Sequence, residues 1–203
     1  MDLLKKIFVR FAVYGTGNAT CPLKFTSDSA DLCATRVGQS QSFCEAANQC
    51  AQLGNNISAI VFLIGRNALK LPVQGLEHWT GVNQLLVHRN ALKNGWYDVN
   101  PNTPEYTTGS DFQWGPTQPN GEEPVTTYTQ ILKTYDDYPM VITSAPFPVF
   151  CEYGGPLAKT NMGIKFRSTF PVPLTNFVQS NPLFYGCFNE ILPKFTPIQC
   201  AVA

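Results

Sequence analysis

Charge is scarce in this chain. Charged residues make up 14 % of 203, and they balance to a formal zero. Such a balance supplies no field to hold nucleic acid or an anionic membrane, and the short block KTYDD does not change that. No run of about 18 apolar residues occurs, so neither a membrane span nor membrane insertion is expected. The C-x2-C pair of a metal knuckle is absent. A glycine-rich phosphate loop is missing, as is any local Ser/His/Asp or Cys/His signature, so the chain does not read as an enzyme. The two histidines, His78 and His88, stand apart from any cysteine or acid pattern and read as strand residues.

Aromatic residues are plentiful at 12 %, alongside 15 glycines and 16 prolines. That mix predicts a compact, loop-rich domain rather than a helical bundle or a disordered chain. The length suits one domain of about 130 residues with flanking segments. Seven cysteines stand at 21, 33, 44, 50, 151, 187 and 200 and read as a disulfide framework. Sequons at Asn18 and Asn56 agree with glycosylation and with a secreted chain, or the extracellular face of a membrane protein. The opening MDLLKKIFVRFAVYG is a poor signal peptide, because Arg10 interrupts its apolar run; it reads as a fragment or an imperfect start.

Between these landmarks the pattern changes several times. SQSFCEAANQCAQLG places Phe43, Ala46, Ala47, Cys50 and Leu53 at helical spacing, with Ser42 as cap, Glu45 three residues on and Gly54 as stop. NISAIVFLI follows as a β-branched strand, and GRNALKL reads as a second short helix. HWTGVN, LLVHRN and NGWYDVN read as short strands. Residues 100–127 form a long loop rich in Pro, Gly, Thr and Asn, and long ordered loops usually carry function. TTYTQIL and PMVITSA read as strands bracketing KTYDDY. PFPVFCEY is a final strand, and GGPLAKTNMG a linker. Trp79, Trp96 and Trp114 read as core, with Trp114 placed to support the loop from beneath.

In this order the landmarks resemble the C-type lectin-like family over residues 21–155. The helix through Cys50 and the strand after it look like the family's first helix and strand. WTGVN (79–83) resembles its tryptophan-x-glycine core strand. FQWGPTQPNG (112–121) resembles the approach to its calcium loop, TYDDY (134–138) its tryptophan-asparagine-aspartate motif, and VFCEYG (149–154) its closing strand. The resemblance implies an α+β fold with two helices, two small antiparallel sheets and a long loop region. It implies a disulfide clamp, Cys50 to Cys151, and an amino-terminal hairpin bridge, Cys21 to Cys33. Cys44 has no evident partner: it is buried and inert, or pairs outside the chain.

The implied function is weak, calcium-dependent binding of glycans or glycoproteins. Calcium takes six to eight oxygen ligands. The resemblance assigns metal and sugar together to Gln118, Asn120, Glu123, Asp136 and Asp137, with Glu122 beside Glu123 and with Pro119 cis. Three departures bear on this. Gln118-Pro119-Asn120 mixes the mannose-type and galactose-type triplets, so its donor and acceptor pattern does not name a sugar. Tyr135 stands for the usual tryptophan. No cysteine lies between 50 and 151, so the bridge that braces the family's loop is missing, and residues near Tyr128 and Val141 are expected to fill that space. The alternative is a calcium-independent member that binds protein partners on the same face.

The chain therefore divides into an amino-terminal segment (1–20), the lectin-like domain (21–155), a linker (156–183) and a tail (184–203). FYGCFNEILPKFTPIQCAVA resembles the start of a PAN/apple or WSC module, with Cys187 and Cys200 as its cysteines. The other reading is a tail in which those two bond to each other.

Overall fold

The computed structural model describes residues 21–29, 32–72, 77–85, 91–100, 112–121, 123–157 and Cys187. The elements are β1 (Thr26–Ser29), β2 (Leu32–Ser40), α1 (Phe43–Ile57), β3 (Ala59–Leu63), a 3-10 turn (Arg66–Lys70), β4 (Glu77–Asn83), β5 (Tyr97–Asp98), β6 (Val125–Thr129), β7 (Thr134–Tyr138) and β8 (Phe147–Pro156). Two four-stranded sheets result, ordered β1-β2-β8-β3 and β5-β4-β6-β7. Every strand pair in them is antiparallel.

Helix α1 starts as its sequence predicts. The Ser42 hydroxyl accepts from the Glu45 N–H, and the Glu45 carboxylate accepts from the Ser40 hydroxyl at 2.8 Å. It does not stop at Gly54. The helix runs on to Ile57, and Ser58 ends it in the left-handed conformation, with φ 53°. Gly54 has another duty: a side chain there would meet the Ala59 carbonyl at 2.7 Å, so the glycine lets α1 lie against the start of β3. The second helix shrinks to the 3-10 turn, in which only Ala68 is buried. One apolar anchor in five residues gives a longer helix nothing to pack with.

Strand alternation fills two cores. On β8, Val149 and Cys151 join Trp79, Phe43 and Val125 in the first, while Phe150 joins Trp96, Tyr128 and Tyr135 in the second. The two sheets are locked where the Trp79 indole N–H donates to the Ser40 carbonyl at 2.8 Å. The disulfide clamp is present: Cys50 on α1 bonds Cys151 on β8, both fully buried, and Cys21 bonds Cys33.

Several expectations change. TYDDY is itself the strand β7, and a turn at residues 130–133 joins it to β6. PMVITSA is no strand: it makes an isolated bridge between Val141 and Ser42, and its Ile142 is buried in the first core. NGWYDVN contributes just the two residues of β5. LLVHRN lies mostly outside the described residues, His88 included. His78 is a strand residue, fully buried between the rings of Tyr128 and Phe150.

Cys44 is neither inert nor left for an outside partner. It bonds Cys187, 143 residues away, which also rules out a Cys187–Cys200 pair. The rest of the tail lies outside the described residues, as do the linker beyond 157 and Asn18. Asn56 is exposed in the last turn of α1.

Candidate functional site

The long loop reaches the second sheet at its β7 edge. Tyr135 N–H donates to the Gln113 carbonyl at 2.8 Å, and Gly115 N–H donates to the Tyr135 carbonyl at 2.9 Å, a short parallel pairing with the outermost strand. Gly115 then turns the chain, its carbonyl accepting from Gln118 N–H at 3.0 Å. Thr117 sits within the turn at φ 70°, and the Gln118–Pro119 peptide is cis, as the resemblance implies. A side chain at residue 115 would overlap the Asp136 carboxylate, so glycine is what allows the loop so close to β7.

Beyond Pro119 the loop is tied by a carboxylate. The two Asp137 oxygens accept separately from Asn120 N–H at 3.1 Å and Gly121 N–H at 3.2 Å. Asp137 is 5 % exposed, and hydrogen bonds to a charged acceptor so placed are among the stronger ones. Next, Gln84 at the end of β4 takes over. Its N–H donates to the Pro124 carbonyl at 2.9 Å and its Nε2 to the Glu123 carbonyl at 3.1 Å. Beneath lies a cluster of rings, with Trp114 4.9 Å from Trp96 and 4.7 Å from Phe112, which stacks on Tyr135 at 4.3 Å. Trp114 thus supports the loop from below.

Of the five predicted ligands, four meet in pairs along β7: Asp136 with Gln118 beside Gly115, and Asp137 with the Asn120 backbone. Asp136 and Asp137 are neighbours on one strand, so the pleat sends their side chains to opposite faces. Asp137 takes the Asn120–Gly121 backbone. Asp136 borders Gly115 together with Gln118, whose Cγ lies 3.4 Å from where a Gly115 side chain would begin. Asp136 also belongs to a polar patch with Glu77, Thr127 and Thr129. The Thr127 hydroxyl donates to Glu77 at 2.7 Å. Burial raises the pKa of both acids. Asp136 is raised further by Asp137 and lowered by its Thr129 hydrogen bond; Glu77 is lowered by Thr127 and raised by Asp136.

Calcium requires a shared centre. Among the described residues, no three His, Cys, Asp or Glu side chains form a group that could hold a metal ion. Both oxygens of the most buried candidate are already engaged by backbone. Gln118 Oε1 is buried without a hydrogen-bond partner, but one amide oxygen falls well short of six to eight ligands. Glu122 lies outside the described residues. The described residues do not by themselves make up a protein-built calcium site.

Near both expected positions apolar side chains are buried: Tyr128 lies against Tyr135 at 4.8 Å, and Ile142, next to the 64 % exposed Val141, joins the first core. Sequence reading missed Gln84 and Gly115, which hold the loop, and Glu77, which accepts from Thr127 beside Asp136. A glycine directly after a loop tryptophan was a usable signal for the second. Gln84 and Glu77 carry none, since their roles depend on what folds back against them.

A helix followed by a strand, two antiparallel sheets, a long loop with a cis proline, and a disulfide from the helix to the last strand together make this a C-type lectin-like fold. No known protein-family model and no curated protein sequence matches the chain. Solved structures do. It is similar to the C-type lectin CEL-I from Cucumaria echinata, with 13 % identity and a TM-score of 0.47 over 66 % of this chain and 96 % of that one. A calcium-independent type II antifreeze protein matches at 20 % identity and TM-score 0.46, over 66 % and 93 %. The cow C-type carbohydrate-recognition domain of CD23, solved with an oligosaccharide, matches at 15 % identity and TM-score 0.46, over 66 % and 95 %.

Proposed function

We propose that this domain is an extracellular recognition module. It binds glycans or glycoproteins on the face formed by residues 112–121 and the β7 edge, and it does so without calcium. The observation that carries this reading is the Asp137 carboxylate, both oxygens of which are occupied by the loop's own N–H groups. A side chain already holds the loop in place, so no ion is required to order it before a ligand arrives. The exposed residues on that face are uncharged: Gln113, Pro116, Thr117 and Asn120. Their amides and hydroxyl both donate and accept, which suits a hydroxyl-rich or peptide surface better than a charged one. The disulfide framework and the exposed Asn56 sequon support an extracellular setting.

The test is thermal unfolding in calcium and in EGTA, followed by a glycan array under both conditions. A site with Kd about 0.1 mM adds about 1.4 kcal/mol at about 1 mM calcium, a shift of several degrees in a domain this size. The expected result is superimposable melting curves and array signals that EGTA leaves unchanged. A calcium-selective rise in melting temperature that disappears in Asp137→Ala restores the calcium-dependent reading. An array blank in both conditions, with the protein folded, moves the ligand from glycans to protein partners.

A further inference from the structure

The three disulfides differ in what surrounds them. Cys50 and Cys151 are fully buried between α1 and β8. Cys21 and Cys33 are both half-buried, and Cys21 Sγ rests 3.9 Å from the Leu32 carbonyl. Cys44 is half-buried, but its partner Cys187 is exposed to solvent. Cys44 is also the second residue of a 15-residue helix capped by Ser42. Thiol attack on a disulfide needs an accessible sulfur and a leaving thiolate of low pKa. A helix N-terminus lowers thiol pKa, because its free N–H groups and dipole favour the anion. Glu45 is the one acidic residue of that first turn, and it turns its carboxylate to the Ser40 hydroxyl at 2.8 Å. Attack site and leaving group are therefore both supplied at this bond, and at neither of the others.

We propose that Cys44–Cys187 is a thiol-exchange site, opened by low-molecular-weight thiols such as glutathione, and that its opening frees Cys187 from Cys44 while the domain of residues 21–157 stays folded. A thiolate attacks Cys187 Sγ and forms a mixed disulfide, as the bond to Cys44 breaks and Cys44 departs as a thiolate. A second thiol attacks the mixed disulfide and leaves Cys187 reduced. Two small thiols are oxidised to one small disulfide, and one protein disulfide is reduced to two thiols. The two remaining disulfides still hold the hairpin and the helix-to-strand clamp, and the buried core does not depend on Cys187.

The experiment uses the full chain with Cys200→Ser, so that the seventh cysteine cannot enter the exchange. Protein is incubated with graded glutathione, quenched with an alkylating agent and mapped by peptide mass spectrometry; tryptophan fluorescence is followed in parallel. Cys44 and Cys187 should be labelled at least about tenfold faster than the other four cysteines, with the fluorescence spectrum unchanged. Mutating Ser42→Ala should slow this labelling, since it weakens the helix N-terminus, without changing which pair reacts first. Prior or equal labelling of Cys21 and Cys33 overturns the proposal, as does labelling of all six together with loss of the folded fluorescence. A Cys44→Ser/Cys187→Ser chain gives an independent check. It should fold with the fluorescence of the parent, and failure to fold would show the bond to be structural.

Discussion

At the level of single residues, Asp137 has the largest assigned duty, because one carboxylate closes two backbone N–H groups on a loop that has no disulfide brace. Asn in its place keeps one acceptor oxygen and turns an amide N–H2 toward the other N–H. Asp137→Asn is expected to lose about 2 kcal/mol of stability, read as a lower urea midpoint at unchanged slope. Asp136→Asn should behave otherwise. Burial and then the neighbouring Asp137 carboxylate disfavour its charge, against its Thr129 hydrogen bond, so neutralising it should cost nothing measurable or stabilise slightly. Two aspartates sharing one ion would instead respond alike. Sequence made both acids visible as candidates, since Asp-Asp in a strand beside a polar loop is a chemically rich spot. It could not say which atoms approach them, and the pleat that parts the two side chains follows only once TYDDY is known to be extended.

Secondary elements were legible where apolar spacing was strong and misread where polar residues sat in strands. Phe43, Ala46 and Cys50 announce α1, and the β-branched run announces β3. β7 falls in the segment that the sequence shows only as bracketed by two strands, because its two aspartates are poor strand formers; tertiary pairing with β6 and with the loop at Trp114 overrides that propensity. Gly54 shows the same limit. Its local reading is a helix stop, yet its duty is close approach of α1 and β3. Alanine gains about 1 kcal/mol of helix propensity over glycine, but the new methyl would lie 2.7 Å from the Ala59 carbonyl and 3.2 Å from Val61. Gly54→Ala should therefore destabilise on balance, on the order of 1 kcal/mol or more, because the crowding is against backbone. The exposed Gln52→Ala on the same helix serves as the control and should be near neutral. A stabilised Gly54→Ala protein would mean that α1 and β3 can move apart freely.

Across the whole molecule, the clamp was legible through the family resemblance, whereas the Cys44–Cys187 pair was not, since spacing alone does not fix connectivity. Removing Cys50–Cys151 opens a closure of 101 residues and should cost about 4–5 kcal/mol on the chain-entropy account, enough to leave Cys50→Ala/Cys151→Ala largely unfolded on warming. A second link between the sheets was invisible in sequence, because it joins three segments through the 3-10 turn. From the first sheet, Glu152 on β8 accepts from Asn67 Nδ2 at 2.7 Å; from the second, Asp98 on β5 accepts from Arg66 N–H at 2.8 Å. Glu152 is 7 % exposed. Burial pushes its pKa up to about 7; the Asn67 hydrogen bond and Lys70 oppose the rise, while Asp98 adds to it. Burial raises Asp98 as well, against its hydrogen bonds from the Arg66 and Asn100 N–H groups and the Arg66 charge. A carboxyl whose folded pKa lies above its unfolded value binds more protons folded than unfolded, so stability falls as pH rises through that window. For Glu152 the window runs from 4.5 to about 7, and the loss across it is about 3 kcal/mol at most. Glutamine keeps the oxygen that faces Asn67 and cannot ionise. Melting temperature measured from pH 4.5 to 8 should therefore decline more steeply in the parent than in Glu152→Gln, with the variant the more stable of the two above pH 7. Parallel curves would show that water reaches Glu152 and that the latch between the sheets does not titrate.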